Sequence, residues 1–120
     1  MIEAVQMAEQ IESACREIQR LSAQLETLGR EAASAEAEYD KSLAVVLVKL
    51  RDGQEMDAFG ITVKNPPATT SEKIAKGLCF KARFKAAMAD HNLKACQMKL
   101  RAAMAILSGR QSKNRYLDVE

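Results

Sequence analysis

The sequence predicts an all-α protein, a long antiparallel helical hairpin that resembles a coiled coil and pairs with a second copy into a dimeric four-helix arrangement. Three observations predict it. The 120 residues include only five Gly, two Pro and no Trp, and residues that favour helices are abundant. Apolar or small residues recur at alternating spacings of three and four in both halves of the chain. A connector with two adjacent prolines separates the halves. At this length a single domain, residues 1–120, is expected.

The first helix is predicted over about residues 3–51. After Tyr39 its apolar register slips by four residues, and the run LAVVLVKL that follows predicts burial on several sides. Asp52 and Gly53 end the helix, because glycine readily adopts the left-handed conformation of a C-cap. The seam of this helix consists of Ala4, Met7, Ile11, Ala14, Ile18, Leu21, Leu25, Leu28, Ala32, Ala35 and Tyr39.

The connector is predicted over residues 52–68. Its segment FGITV suits a short extended piece, and the prolines at 66 and 67 cannot continue a helix. The second helix is predicted over about residues 69–108, where Thr69 and Glu72 match a capping box. A polar tail, residues 109–120, follows. The seam of the second helix consists of Ala75, Cys79, Ala82, Ala86, Ala89, Leu93, Cys96, Leu100, Ala103 and Leu107.

The second helix carries another apolar stripe on nearly the opposite side. A single hairpin covers only one of the two stripes, so the other stripe predicts a partner. A second copy of the chain is the simplest partner, because a two-helix hairpin buries little surface by itself. The predicted interface of this homodimer consists of Phe80, Phe84, Met88, His91 and Met98.

Charge is distributed unevenly between the two halves. Residues 1–51 carry six basic and nine acidic residues, whereas residues 71–117 carry eleven basic and two acidic residues. Basic residues interleave with Phe80 and Phe84, a pattern that suits single-stranded nucleic acid, because lysines contact phosphates and exposed rings stack on unpaired bases. Alternatively, the phenylalanines belong to the core, and the lysines form a solvated rim or pair with the acidic first helix. The predicted nucleic-acid or partner-binding residues are Lys81, Arg83, Lys85, Lys94 and Arg101.

No catalytic residue, cofactor site or metal site is predicted. His91 forms no recognisable constellation with a serine, a cysteine or a carboxylate, and the glycines form no phosphate loop. No two of the three cysteines, Cys15, Cys79 and Cys96, form a CxxC pair. Cys79 and Cys96 fall on the seam of the second helix, where small buried hydrophobic residues are expected. Neither a secretory leader nor a membrane span is recognised, and the cysteines suggest no disulfide framework, so a reducing cytoplasm is the expected location.

The order of these parts resembles a group of small helical proteins encoded by bacteriophages, many of which sit among genes for DNA recombination and single-strand annealing. The resemblance covers much of the chain. It rests on the heptad helix, the GITV connector, the alanine-rich helix KAAMADHNLKACQMKLRAAMAIL and the polar end GRQSKNRYLDVE. It implies a phage or prophage origin, with the cytoplasm of a bacterial host cell as the location, and a non-enzymatic role near DNA metabolism or host interference. The group has no catalytic residues to carry over.

The expected function is that of a non-enzymatic accessory protein that presents a helical surface to a nucleic-acid or protein partner in DNA metabolism. One alternative is a phage inhibitor that blocks a host nuclease or defence complex by protein–protein binding. Another alternative is a structural coiled-coil spacer or assembly chaperone whose charges only keep the protein in solution. Binding to nucleic acid, to a host protein or to neither distinguishes the three.

Overall fold

A computed structural model describes the backbone of residues 2–119 and the side chains of residues 3–116. In order, the elements are α1 Ile2–Arg51, β1 Met56–Ala58, β2 Ile61–Val63, α2 Ala68–Leu78 and α3 Phe80–Val119. The long helices α1 and α3 run antiparallel, which confirms the predicted all-α helical hairpin. The structure divides into two compact units. The first unit is Met1–Gly29 with His91–Glu120, and the second is Arg30–Asp90.

Two hydrogen bonds define the antiparallel pairing in the first unit. The thiol of Cys96 donates to the carbonyl oxygen of Leu21, with Sγ and O 3.6 Å apart. The guanidinium group of Arg110 donates to the carbonyl oxygen of Gln10 at 3.0 Å. The bond further along α1, at Leu21, is made by the residue nearer the start of α3, so the two helices run in opposite directions. Leu21, Cys96 and Ala14 are buried and form the core of this unit.

Both predicted seams are confirmed. Every member of the seam from Ala75 to Leu107 is buried or half-buried, and the α1 seam is too, apart from the exposed Ala4. The run LAVVLVKL departs from its prediction. Its last residue, Leu50, is buried, but Val45 and Val48 are exposed, so burial on several sides is wrong within the chain. These valines have no second helix to cover them, because the hairpin supplies only one neighbour for α1 at this level.

The end of α1 at Gly53 follows the prediction. Gly53 has a φ of 77°, which is the left-handed conformation of a C-cap. Its N–H group bonds to the carbonyl oxygen of Leu50 at 3.2 Å, and that of Gln54 bonds to Lys49 at 3.1 Å, which is a Schellman motif. The side chain of Asn65 lies next to this C-cap: a Cβ atom added at Gly53 would be 2.9 Å from its Oδ1 atom.

The connector contains a β-hairpin. Of the predicted extended piece FGITV, only Ile61–Val63 is a strand, whereas Phe59 and Gly60 form the turn before it. β1 and β2 pair antiparallel, with Met56 opposite Val63. The two turn residues between them, Phe59 and Gly60, have φ values of 54° and 83°. Positive φ at both positions is typical of a type I′ turn. The N–H group of Gly60 donates to Oδ1 of Asp57 at 3.1 Å and holds the turn.

The capping box predicted at Thr69 and Glu72 is wrong. α2 takes Pro67 as its N-cap, and none of the described side chains caps its first N–H groups. Thr69 therefore lies inside the first turn, past the capping position. The hydroxyl of Ser71 donates to the carbonyl oxygen of Pro67 at 3.0 Å, and the carboxylate of Glu72 pairs with Lys76 at 3.2 Å.

The second helix differs from the predicted 69–108 at both of its ends and in its middle. It begins one residue earlier and is divided at Cys79, whose φ of −93° and ψ of 21° lie near the bridge region. Gly77, two residues before, has a low helix propensity and weakens the helix there. α3 then continues to Val119, so the predicted polar tail is helical as far as residue 119. Gln, Lys and Arg extend an existing helix readily, and one glycine costs only about 1 kcal/mol.

Candidate functional site

In the second unit, two phenylalanines lie on the face of α3 that points away from its seam. Ala82 and Ala86 belong to the seam and are half-buried. A helix turns about 100° per residue, which carries Phe80 and Phe84 to the opposite side. Their exposed fractions are 51% and 67%, and Met88, one turn further, is exposed as well. The alternative in which these phenylalanines form part of the core of the chain is therefore wrong.

A third phenylalanine reaches the same face from the β-hairpin. The ring of Phe59 lies 5.9 Å from that of Phe80 between centroids, with the two planes inclined at 48°. Its Cε2 atom would lie 3.6 Å from a Cβ at Gly77, so the ring also rests against α2. Even so, Phe59 is 72% exposed. We call Phe59, Phe80 and Phe84 the aromatic patch.

Phe59 is not among the site residues that the sequence predicts. The signal that could have found it is an aromatic residue directly before Gly60, at a turn position that favours Asn, Asp or Gly. The patch has a considerable size. With about 150–250 Å² for each aromatic side chain, the three exposed fractions correspond to an exposed area on the order of 300–450 Å². Apolar patches of this size on a monomer are often functional.

Basic side chains flank the aromatic patch. On the helical wheel, Lys81 lies about 100° to one side of Phe80, and Arg83 lies about 60° to the other side. Both are exposed, and neither forms a salt bridge with any of the residues whose side chains the structure describes. Lys76, by contrast, pairs with Glu72. Lys81 and Arg83 thus lie beside the aromatic patch without a salt-bridge partner among residues 3–116, and the carboxylate of Asp57 lies at the turn that carries Phe59.

Lys85 has a different environment from Lys81 and Arg83. It lines a cleft of about 640 Å³ together with Glu31 and Glu38 of α1. The cleft belongs wholly to the second unit. Lys85 therefore lies between the aromatic face and the acidic helix, which fits in part the alternative that the lysines face acidic residues of α1.

The remaining predicted residues lie in the first unit. His91, Met98, Lys94 and Arg101 are all exposed on α3. Lys94 has an interaction partner within the chain. Within the second unit, the structure therefore brings Lys81, Arg83 and the phenylalanines together.

Of the described titratable groups with a shifted pKa, Glu17 and Arg20 lie in the first unit, and Cys79 directly precedes Phe80 of the aromatic patch. A side-chain hydrogen bond from Arg20 lowers the pKa of the Glu17 carboxyl, and the same bond raises the pKa of Arg20. Burial raises the pKa of the Cys79 thiol, as expected for a small residue on the seam. Cys96 is buried too, and Cys15 is half-buried.

Within the described part of the chain, no three His, Cys, Asp or Glu side chains are placed to hold a metal ion. Among the helices of residues 2–119, none combines the length and the apolar character that crossing a membrane requires. In comparisons with protein-family models, curated proteins and solved structures, nothing matches the chain.

Proposed function

We propose that this chain is a non-enzymatic binding protein whose second unit takes up nucleic acid on the outer face of α3. One observation carries the proposal. Phe80 and Phe84 are exposed on the same face, between Lys81 and Arg83, and neither basic residue forms a salt bridge within residues 3–116. Unpaired cations attract phosphates, and exposed rings provide a stacking surface for bases.

The test is fluorescence anisotropy with a labelled single-stranded oligonucleotide, titrated at low salt and again as the salt concentration rises. The variant replaces Lys81, Arg83 and Lys85 with Ala. We expect weaker binding and a shallower salt dependence, because each phosphate that the variant no longer neutralises reduces the slope of log K against log salt by about 0.7 for single strands.

A matched control removes the same charge from exposed positions on α1 of the same unit, by replacing Lys41, Lys49 and Arg51 with Ala. This control should retain most of the affinity. Equal losses in the two triple variants would mean that net charge alone attracts the oligonucleotide, and no binding by the unmodified protein would refute the proposal.

A second candidate is homodimerisation through the same face, which the exposure of Phe80, Phe84 and Met88 favours. Two arguments rank it second. A stable interface buries about 800 Å² on each partner, roughly twice the area of the aromatic patch. A two-fold pairing centred on Phe80 and Phe84 would also bring Lys81 and Arg83 close to their own copies. Sedimentation equilibrium of the pure protein measures the oligomeric state, and a stable dimer that ignores the oligonucleotide would reverse the ranking.

The resemblance to bacteriophage proteins adds a biological setting to the proposal. In that setting the chain is a phage-type accessory factor that acts in DNA metabolism inside the host cell. An inhibitor of a host nuclease or defence complex would instead capture one host protein in a pull-down that nuclease treatment does not change. A structural spacer would bind neither nucleic acid nor host protein.

A further inference from the structure

Resting on the proposed function, we infer that the aromatic patch selects unpaired bases, so the ligand is single-stranded nucleic acid, and that Phe59 is a third base-stacking residue. The β-hairpin then has a binding role in addition to its structural one. Neither turn chemistry nor burial explains the position of Phe59.

Turn chemistry does not favour phenylalanine at this position. The first residue of a type I′ turn needs a positive φ, which Asn, Asp and Gly adopt far more readily than an aromatic residue. Phe59 has a φ of 54°. A bulky loop residue that adopts such an uncommon backbone conformation is a reason to look for a function.

Burial does not explain Phe59 either. Its ring contacts Phe80 and rests beside Gly77, yet 72% of the residue remains exposed. The contact fixes where the ring lies without removing it from water. The hairpin therefore holds an aromatic ring next to Phe80 and leaves most of the ring available to a ligand.

The arrangement of the rings and charges identifies the ligand. The planes of Phe59 and Phe80 are inclined at 48°, so they do not stack on each other and each retains free surface. The bases of a single strand offer free faces that stack on aromatic rings, whereas the bases of a duplex are already stacked and expose only their edges. Lys81 and Arg83 beside the rings suit the phosphates of the same strand. An uncharged apolar peptide would leave both cations without a partner.

The test measures the affinity of the full chain for three probes of equal length: a single strand, the corresponding duplex and an abasic strand that keeps the phosphates but lacks bases. We expect the single strand to bind best. Phe59→Asn should weaken single-strand binding by at least about fivefold, the low end of what one base–ring stack contributes. It should leave abasic binding unchanged.

Phe59→Asn also separates binding from folding. Asn suits the turn better than Phe, so the thermal midpoint of this variant should stay equal or rise. Phe59→Tyr keeps an aromatic ring and should retain the affinity. Val48→Asn removes an exposed apolar side chain from α1 of the same unit and is the matched control.

Each outcome decides a separate question. Equal binding of the three probes, with no effect of Phe59→Asn, would overturn the inference and leave the proposed function standing. No binding of any probe would overturn both. A loss of self-association in Phe59→Asn, measured by sedimentation with oligonucleotide binding unchanged, would assign the aromatic patch to a second copy and overturn the inference.

Discussion

The same substitution, Gly to Ala, should have opposite effects on stability at Gly53 and at Gly109. Gly53 has a φ of 77° in the Schellman motif that ends α1, and a Cβ there would lie 2.9 Å from Oδ1 of Asn65. Gly109 lies inside α3, and a Cβ there would meet no described atom within 4 Å. Alanine at position 53 disfavours the left-handed conformation that the C-cap requires, whereas alanine at position 109 favours the helical conformation of α3.

The expected magnitudes follow from these two environments. A Cβ in the left-handed region costs about 1–2 kcal/mol, and the close approach to Asn65 adds to that loss. In a helix interior, alanine is better than glycine by about 0.5–1 kcal/mol. The free energies of unfolding of the two variants should therefore differ by about 2 kcal/mol or more, with the unmodified protein between them.

Urea unfolding followed by far-ultraviolet circular dichroism measures both effects in one assay. A third variant isolates the clash with Asn65, whose own φ is 47°. Adding Asn65→Gly to Gly53→Ala removes the clashing side chain and should restore part of the stability. Midpoints that shift in the same direction for Gly53→Ala and Gly109→Ala would refute this account of the C-cap.

Two further predictions concern the core. Leu50 is 2% exposed, so Leu50→Ala should lower the free energy of unfolding by about 2–3 kcal/mol. Val48 is 58% exposed, so Val48→Ala should change it by less than about 0.5 kcal/mol. Equal effects of the two variants in urea unfolding would contradict the burial of Leu50. In a thiol-labelling time course of the folded protein, Cys15 should react first, and Cys79 and Cys96 should react slowly because both are buried. Three equally fast thiols would mean that the seam opens readily.

The helices and their seams could be predicted from the sequence because long periodic patterns average over many residues. The seam from Ala75 to Leu107 alternates steps of four and three without interruption, and a pattern sustained over so many turns seldom arises by chance. The same periodicity places Phe80 and Phe84 opposite the seam. Their exposure in the chain follows directly, since a hairpin offers α3 only one neighbouring helix.

The parts that were missed depend on few residues and on tertiary packing. β1 and β2 have three residues each, which is too short for an alternating pattern to be distinctive. The first position of the type I′ turn is occupied by Phe59, where Asn or Asp would usually signal such a turn. Thr69 and Glu72 match a capping box by spacing alone, but Pro67 already occupies the capping position. Local motifs of this kind compete with their neighbours, and the sequence does not show which one prevails.

The distribution of side-chain sizes connects the fold with the proposed function. The buried positions are mostly alanine and cysteine, whereas Phe59, Phe80 and Phe84 are exposed. Removing the roughly 300–450 Å² of the aromatic patch from water is worth about 7–11 kcal/mol before any costs. Association costs a comparable amount, about 4–15 kcal/mol, so the rings alone do not ensure binding. If the chain binds nucleic acid as proposed, phosphate contacts from Lys81 and Arg83 would supply the additional attraction. The proposal therefore requires the rings and the charges to act together, and weakening either one should lower the affinity for a single strand.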